Sequence, residues 1–406
     1  MLSPSLAQEI AADTTAVIGH NVLITDRDGI VIGSGDPARV GSFHEASVAV
    51  IRDLEPAAHD AGQASLLRGV RPGITLPLVL EGAGVGTVGI TGSPGQVSRF
   101  GLVVKRQIEI LLREAVTTRS RALRERALED LLADLASYDP NLVEPGLILF
   151  RGAELGCNLA LRRVVVVLEL GTLPASEAGH RDRHGPAQHG PAHRIPVLRP
   201  EILRTLREVF SDPQDLVTSL VASGRFAVLH RIKPDAARHD AEAATIALCN
   251  RLADLLRSQL GLAAQVALAG PAASVADLHD AYQDACDVLR LGPRVSPDKR
   301  VHTVSDLRAH QLLATVSHRT RAHLIDTVTG ELRDHNDWPT LRTTIIAWCD
   351  NGFNQVRTAE ALHIHRNTLV YRLNRIEQLS GRPLRSPRAG VTLYLAALAD
   401  QLEALR

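Results

Sequence analysis

Asn354-Gln-Val-Arg-Thr-Ala-Glu-Ala-Leu-His-Ile-His-Arg-Asn-Thr-Leu-Val-Tyr-Arg-Leu-Asn-Arg-Ile376 is the stretch on which the fold of this chain turns. Ala359 and Leu362 place an apolar stripe on a short helix, and His363-Ile-His365 makes a tight turn. A second helix opens near Arg366, with Leu369, Leu373 and Ile376 recurring at i, i+4, i+7. Gly381 supplies a stop and Pro383 follows it. Two short helices around a tight turn, the second rich in Arg, Asn, Thr and Tyr, make a helix-turn-helix. From Asn354 to Arg388 seven arginines face only Glu360 and Glu377, an excess of five positive charges inside a chain of formal net charge zero. Such a local excess suits a phosphate backbone. Leu341, Ile345, Trp348 and the run Leu393 to Leu398 are expected to complete the core under these helices.

Working outward, 406 residues of ordinary apolar content allow roughly two to four globular domains. No run of apolar residues is long enough to span a bilayer, and no basic segment with an apolar run and cleavage site opens the chain. A cytoplasmic protein with no membrane partner is therefore expected. Cys157, Cys249, Cys286 and Cys349 are far apart and form no CxxC, so they are read as reduced, mostly buried thiols.

Up to about Gly95, turns punctuate short apolar strands. Asn21–Thr25 and Ile30–Gly33 flank the turn Asp26-Arg-Asp-Gly29, and 73–80 and 85–91 form a second hairpin, with helices over 5–18 and 42–53. This predicts a small α+β sensor of the PAS or Cache type. A helix follows over 98–136, with Ile108, Leu111, Leu112, Ala115, Leu128, Leu131, Leu132 and Leu135 on one face. It is read as a dimerising or signalling helix, the alternative being a helix packed on its own domain. From Arg163 to His302 strands and helices alternate, interrupted by a Gly-, Pro- and His-rich loop over 172–194. Helices dominate from 304 to the end.

Three stretches resemble the carbohydrate diacid regulators, a family of bacterial transcription factors. Ile32-Gly-Ser-Gly-Asp-Pro-Ala-Arg-Val-Gly-Ser-Phe-His-Glu-Ala46, and Gly69-Val-Arg-Pro-Gly-Ile-Thr-Leu-Pro-Leu78 with Val88-Gly-Ile-Thr-Gly92, resemble its sugar-diacid recognition domain. Ile364 to Ile376 resembles its helix-turn-helix of the purine-catabolism-regulator type, and the middle region resembles its degenerate GGDEF-like domain. The resemblance implies a multidomain α+β chain: a sensor over 1–97, a dimerising helix over 98–137, a GGDEF-like α/β domain over 138–303 and an all-α helix-turn-helix domain over 304–406. It also implies a homodimer or higher homo-oligomer, DNA as partner, a small acid such as glucarate, galactarate or glycerate as effector, and activation of catabolic genes. The family usually has Asn where Thr75 stands, and the His-rich loop is an insertion.

A small hydroxy-acid needs fixed donors. Ser34, Arg39, Gly41, Ser42 and His44 supply hydroxyl, cation, backbone N–H and imidazole within a dozen residues, and Gly73, Ile74 and Thr75 open the opposing strand. Gly41 and Ser42 are placed at a helix N-terminus that favours a carboxylate. Asp36 is a turn or pocket-organising residue. In the helix-turn-helix, His365, Arg366, Asn367, Thr368 and Tyr371 fall at the end that enters the major groove, with Arg366 suited to a guanine edge. Arg372 and Arg375 are assigned to phosphates, and Asn354 and Gln355 to a cap or the DNA backbone. The middle hairpin Ala222-Ser-Gly-Arg-Phe226 carries no carboxylate for divalent metals and a triphosphate, so no catalysis and no cofactor are expected. His180, His184, His189 and His193 lie in a Gly-Pro context that presents no common face, so no metal site is expected.

Overall fold

The computed structural model describes residues 3–172, 191–220, 224–384 and 386–403. The chain divides into two compact units, Met1–Arg124 and Glu125–Arg406.

The first unit holds α1 (Pro4–Ile18), β1 (Val22–Thr25), β2 (Val31–Ser34), a 3-10 turn (Pro37–Arg39), α2 (Glu45–Asp53), β3 (Ala57–His59), α3 (Ala61–Ala64), β4 (Gly73–Leu80) and β5 (Ala83–Thr91). The long helix α4 (Pro94–Ala136) begins here. The strands form one antiparallel sheet in the order β2-β1-β5-β4-β3. Strand alternation sends Val22, Ile24, Ile74, Leu76, Leu78, Val88 and Ile90 to one face, where α1 and Val97, Val104, Ile108 and Leu112 of α4 close a core. Helix α2 packs against β4 and β5. The expected helix over 42–53 starts at Glu45, and β3 adds an edge strand to the expected two hairpins.

The second unit continues through α5 (Pro145–Glu154), β6 (Arg163–Thr172), α6 (Pro191–Val209), β7 (Leu216–Leu220), β8 (Arg225–Arg231), α7 (Arg238–Leu260), β9 (Leu262–Ala272), α8 (Val275–Val295) and β10 (Val301–Thr303). The sheet order is β10-β9-β6-β8-β7, with β10 parallel to β9 and the other pairs antiparallel. Val165 and Val167 of β6 enter one core while Val164, Val166 and Leu168 enter the other. That explains the unbroken apolar run: both faces of the sheet are covered. The His-rich tract lies largely outside the described residues, but β6 extends to Thr172 and α6 starts at Pro191, so regular structure enters both ends of the expected loop.

Helices α9 (Val304–Thr315), α10 (His318–Thr329), α11 (Trp338–Asp350), α12 (Gln355–Ala361), α13 (Arg366–Ser380) and α14 (Pro387–Glu403) complete the chain. Leu341, Ile345, Trp348, Leu369, Leu373, Ile376 and Leu393 share one core, and Leu398 joins a small neighbouring one. Val304 and Leu307 of α9 pack into a core of the middle sheet, so residue 304 opens a helix without leaving that domain's core.

Helix α4 corrects one expectation. Ile108 and Leu112 are buried against the first sheet, and Leu128, Leu131, Leu132 and Leu135 in the second unit's core. The stripe expected to seat a second copy is consumed within the chain. Residues 116–124, between those two sets, are exposed throughout.

Among the described residues no helix is long and apolar enough to cross a membrane.

Candidate effector site and nucleic-acid interface

On the sheet of the first unit, the face away from α1 and α4 is polar. Register aligns Ser34, Leu23, Gly89, Thr75 and Ala57 in one cross-strand row, and Thr25, Thr87 and Pro77 in the next. Above them stand His44 and Ser47 of the α2 start, and Arg39 of the 3-10 turn. Thr25, Ser34, Arg39, His44, Ser47, Thr75 and Thr87 are the buried polar side chains among described residues 3–124, and all belong to this side. Burying a polar group is costly unless it is hydrogen-bonded.

Several of these groups satisfy one another. Ser34 Oγ accepts from Asp36 N at 3.1 Å and donates to Asn21 Oδ1 at 3.4 Å. His44 Nδ1 meets Ser47 Oγ at 2.8 Å, Ser47 Oγ meets Thr87 Oγ1 at 2.7 Å, and Thr87 Oγ1 meets Thr25 Oγ1 at 2.8 Å. Three groups are left over. Arg39 Nη2 donates to Gly69 O at 2.5 Å, whereas Nη1 is buried without a partner among the described residues. Neither His44 Nε2 nor the Thr75 hydroxyl is hydrogen-bonded to a described residue, although the two residues are only 3% exposed. Burial, then the Arg71 charge, lowers the Arg39 pKa against the pull of Asp36. Burial, then Arg39 and His59, pushes His44 down to about 4. The imidazole is therefore neutral at pH 7, and Arg39 is the buried cation of this face.

The remaining residues expected here have other duties. His44 stands at the N-cap position of α2 without a side-chain capping bond, so Gly41 and Ser42 precede the helix N-terminus. Gly41 N already donates to Val31 O at 2.8 Å and Ser42 N to Arg39 O at 3.0 Å, while Ser42 Oγ donates back to Arg39 O. The carboxylate cradle expected from these two N–H groups is not formed. Ile74 points into the apolar core, the opposite face from Thr75. Gly73 lies between strands β3 and β5, and a Cβ there would sit 2.1 Å from Ile90 O. Asp36 caps the 3-10 turn and pairs with Arg71 at 3.2 Å, a turn-organising position. Gly69, at φ 72°, lets its carbonyl reach Arg39; a Cβ would sit 2.0 Å from Phe43 O. Sequence reasoning missed Ser47, Thr87 and Thr25. Their only signal is polarity at inward strand or helix positions.

In the second unit, α12 and α13 form the helix-turn-helix. The turn places His363 at φ 52°, and Ile364 N returns to Ala359 O. Asn354 caps α12, accepting from Val356 N and Arg357 N, and His365 caps α13, accepting from Asn367 N. Gln355 Oε1 accepts from Arg366 Nε at 3.2 Å and Nη2 at 3.1 Å, a clasp between the two helices. Arg372 and Arg375 are half-buried, facing Thr344 and His335. The exposed face of α13 runs instead through Asn367, Tyr371, Asn374 and Gln378, with Thr368 at its edge. That spacing of i, i+4, i+7, i+11 was present in the sequence and brings in Asn374 and Gln378.

Three family models match. Sugar diacid recognition covers residues 2–135, the GGDEF-like domain 139–291, and the PucR C-terminal helix-turn-helix domain 341–399. The chain carries a sugar diacid recognition domain, a GGDEF-like domain and a PucR-type C-terminal helix-turn-helix domain. Along its length it is similar to the "Carbohydrate diacid regulator" of Escherichia coli (strain K12), 28% identical over 98% of both chains. An uncharacterized protein of Bacillus subtilis (strain 168) is 25% identical over 97% of both. The "Purine catabolism regulatory protein" of the same organism is 27% identical over 31% of this chain and 24% of its own. Among solved structures, a regulator of polyketide synthase expression from Bifidobacterium adolescentis aligns with 69% of this chain and 99% of its own, at 16% identity and a TM-score of 0.31.

Proposed function

We propose that this chain is a cytoplasmic transcription activator whose first unit binds a small sugar diacid or glycerate and whose C-terminal helices bind operator DNA. The PucR-type helix-turn-helix and the full-length similarity to a carbohydrate diacid regulator support a transcriptional regulator. The observation that carries the effector side is the polar face with three unspent groups: Arg39 Nη1, His44 Nε2 and the Thr75 hydroxyl. A cation and a neutral imidazole beside a hydroxyl suit a carboxylate next to a hydroxyl-bearing carbon. Ser34 and Gly69 hold the site's walls; Gly41, Ser42, Gly73 and Ile74 shape backbone. On the DNA side, Asn367, Tyr371 and Asn374 are the base-edge candidates. Arg366, clasped by Gln355, is better suited to a phosphate than to a bidentate guanine contact.

The domain limits 1–97, 98–137, 138–303 and 304–406 belong to this proposal, except that the sensor's core requires α4 as far as Leu112. So does a homodimer, since paired modules read two half-sites. Its contact must lie outside the buried Ile108–Leu135 stripe. The GGDEF-like domain is assigned a structural role without catalysis. Among the described residues no group of three or more His, Cys, Asp and Glu is placed to hold a metal ion.

The test is a thermal-shift panel of glucarate, galactarate, glycerate and monoacid controls on the full chain, followed by DNA-shift titrations with the acid that stabilises. Binding raises the melting point by mass action. A flat panel would remove the effector half, and salt-independent or absent DNA binding would remove the other.

A further inference from the structure

The hydroxyls behind His44 form a chain with a definite direction. We propose that Thr25, Thr87 and Ser47 are positioning residues that fix His44 in the tautomer carrying its proton on Nε2, so that His44 acts on the effector as a donor. This rests on the effector site proposed above.

The argument is one of donor counting. Thr87 N donates to Thr25 Oγ1 at 3.3 Å, so that oxygen already accepts one hydrogen bond. If Thr25 donates its hydroxyl proton to Thr87, then Thr87 donates to Ser47 and Ser47 donates to His44 Nδ1. Every hydroxyl proton then has an acceptor, and Nδ1 must be unprotonated. The neutral imidazole carries its proton on Nε2, which no described residue engages. In the reverse direction, Nδ1–H donates to Ser47, Ser47 to Thr87 and Thr87 to Thr25. Thr25 then accepts twice, and its own proton has no acceptor among the described residues, although the residue is fully buried. Each direction leaves one proton without an acceptor among the described residues, and that costs more at the fully buried Thr25 hydroxyl than at Nε2, which solvent or an effector can reach. Low exposure of His44 beside Arg39 keeps the ring neutral, so the choice is between tautomers and not between charges. With Nε2–H and Arg39 Nη1 both donating, the site asks its ligand for acceptors, as an α-hydroxy carboxylate provides.

The experiment is nitrogen-15 NMR of the imidazoles in the labelled full chain at pH 7, with the His44 signals assigned by their loss in His44→Gln. The parent is expected to show the Nε2–H tautomer. Thr87→Val cuts the chain and is expected to give both tautomers, whereas Thr87→Ser keeps the hydroxyl and the parent spectrum. Ser47→Ala serves if Thr87→Val does not fold. Titration with glucarate, galactarate and glycerate forms the second arm. Equal tautomer populations halve the competent fraction and raise Kd about twofold in Thr87→Val, with recovery in Thr87→Ser. A parent His44 protonated on Nδ1, or a spectrum unmoved by Thr87→Val and Ser47→Ala, overturns the proposal. Absence of acid binding in the parent with the predicted tautomers intact would overturn the effector reading and leave the relay standing.

Discussion

Arg39→Met separates a residue kept for a ligand from one kept for the fold. In the structure the guanidinium is buried, one nitrogen donates to Gly69 O, and the other has no partner among the described residues. Burial lowers its pKa, the mark of a charge that pays for desolvation without full compensation. Met keeps the unbranched stem and removes the charge, so the ligand-free protein is expected to melt within a few degrees of the parent, or above it. The ligand-bound state behaves oppositely. Losing a charge-assisted hydrogen bond costs about 1.5–3 kcal/mol, or roughly 10- to 150-fold in Kd. An acid present at 100 times the parent Kd stabilises the parent by about 2.7 kcal/mol. At the same concentration the variant should retain only about 0.3–1.3 kcal/mol. Calorimetric titration gives the affinity, and a thermal melt with and without acid gives both stabilities. A large fall in the ligand-free melting temperature, with the acid-induced shift preserved, would refute the reasoning, because Arg39 would then be a structural residue.

Other outcomes follow from the same geometry. His44 has a folded pKa near 4 against 6.5 for the free side chain, so the unfolded chain takes up its proton first as pH falls. Its contribution is complete above about pH 6.5 and is lost progressively toward pH 4; His44→Gln should flatten the melting temperature of the sensor unit across that window. Gly69→Ala combines a left-handed φ with a Cβ 2.0 Å from Phe43 O, and should lower stability by more than about 1 kcal/mol in denaturant titrations. Asn367→Ala and Asn374→Ala should narrow the gap between operator and random DNA with unchanged melting temperature, whereas Arg372→Ala should lower the melting temperature, since that side chain packs toward Thr344. Equal effects on both DNAs for the asparagine variants would argue against base contacts.

The helix-turn-helix was legible because local period decides it: Leu369, Leu373 and Ile376 announce the buried face of α13 wherever that helix packs. The first sheet was legible for a similar reason, as alternation and turn residues mark its two hairpins. The three-residue strand β3 was not, since Ala57-Ala-His59 has no room for an alternation. Periodicity named the apolar face of α4 correctly but not what covers it, and so suggested a partner chain where two cores of the same chain do the covering. The pairing of Thr25 with Thr87 joins residues 62 positions apart, and only the fold brings them together. Gly41 and Ser42 looked like a helix start because Gly and Ser suit caps; the helix starts where His44 enters the site instead.

Helix α4 has a last consequence, for digestion by proteases. Its first apolar residues are locked into one core and its last into another, while residues 116–124 are exposed and include Arg119 and Arg121. Such an uncovered stretch opens locally at the least cost, and trypsin needs several opened residues around a basic side chain. Brief trypsin treatment should therefore cut the helix there before any sheet. It should leave an amino-terminal fragment that keeps Ile108 and Leu112 under its sheet, and a carboxy-terminal one that keeps Leu128 to Leu135. A sensor fragment ended at residue 97 would lack that cover and should precipitate.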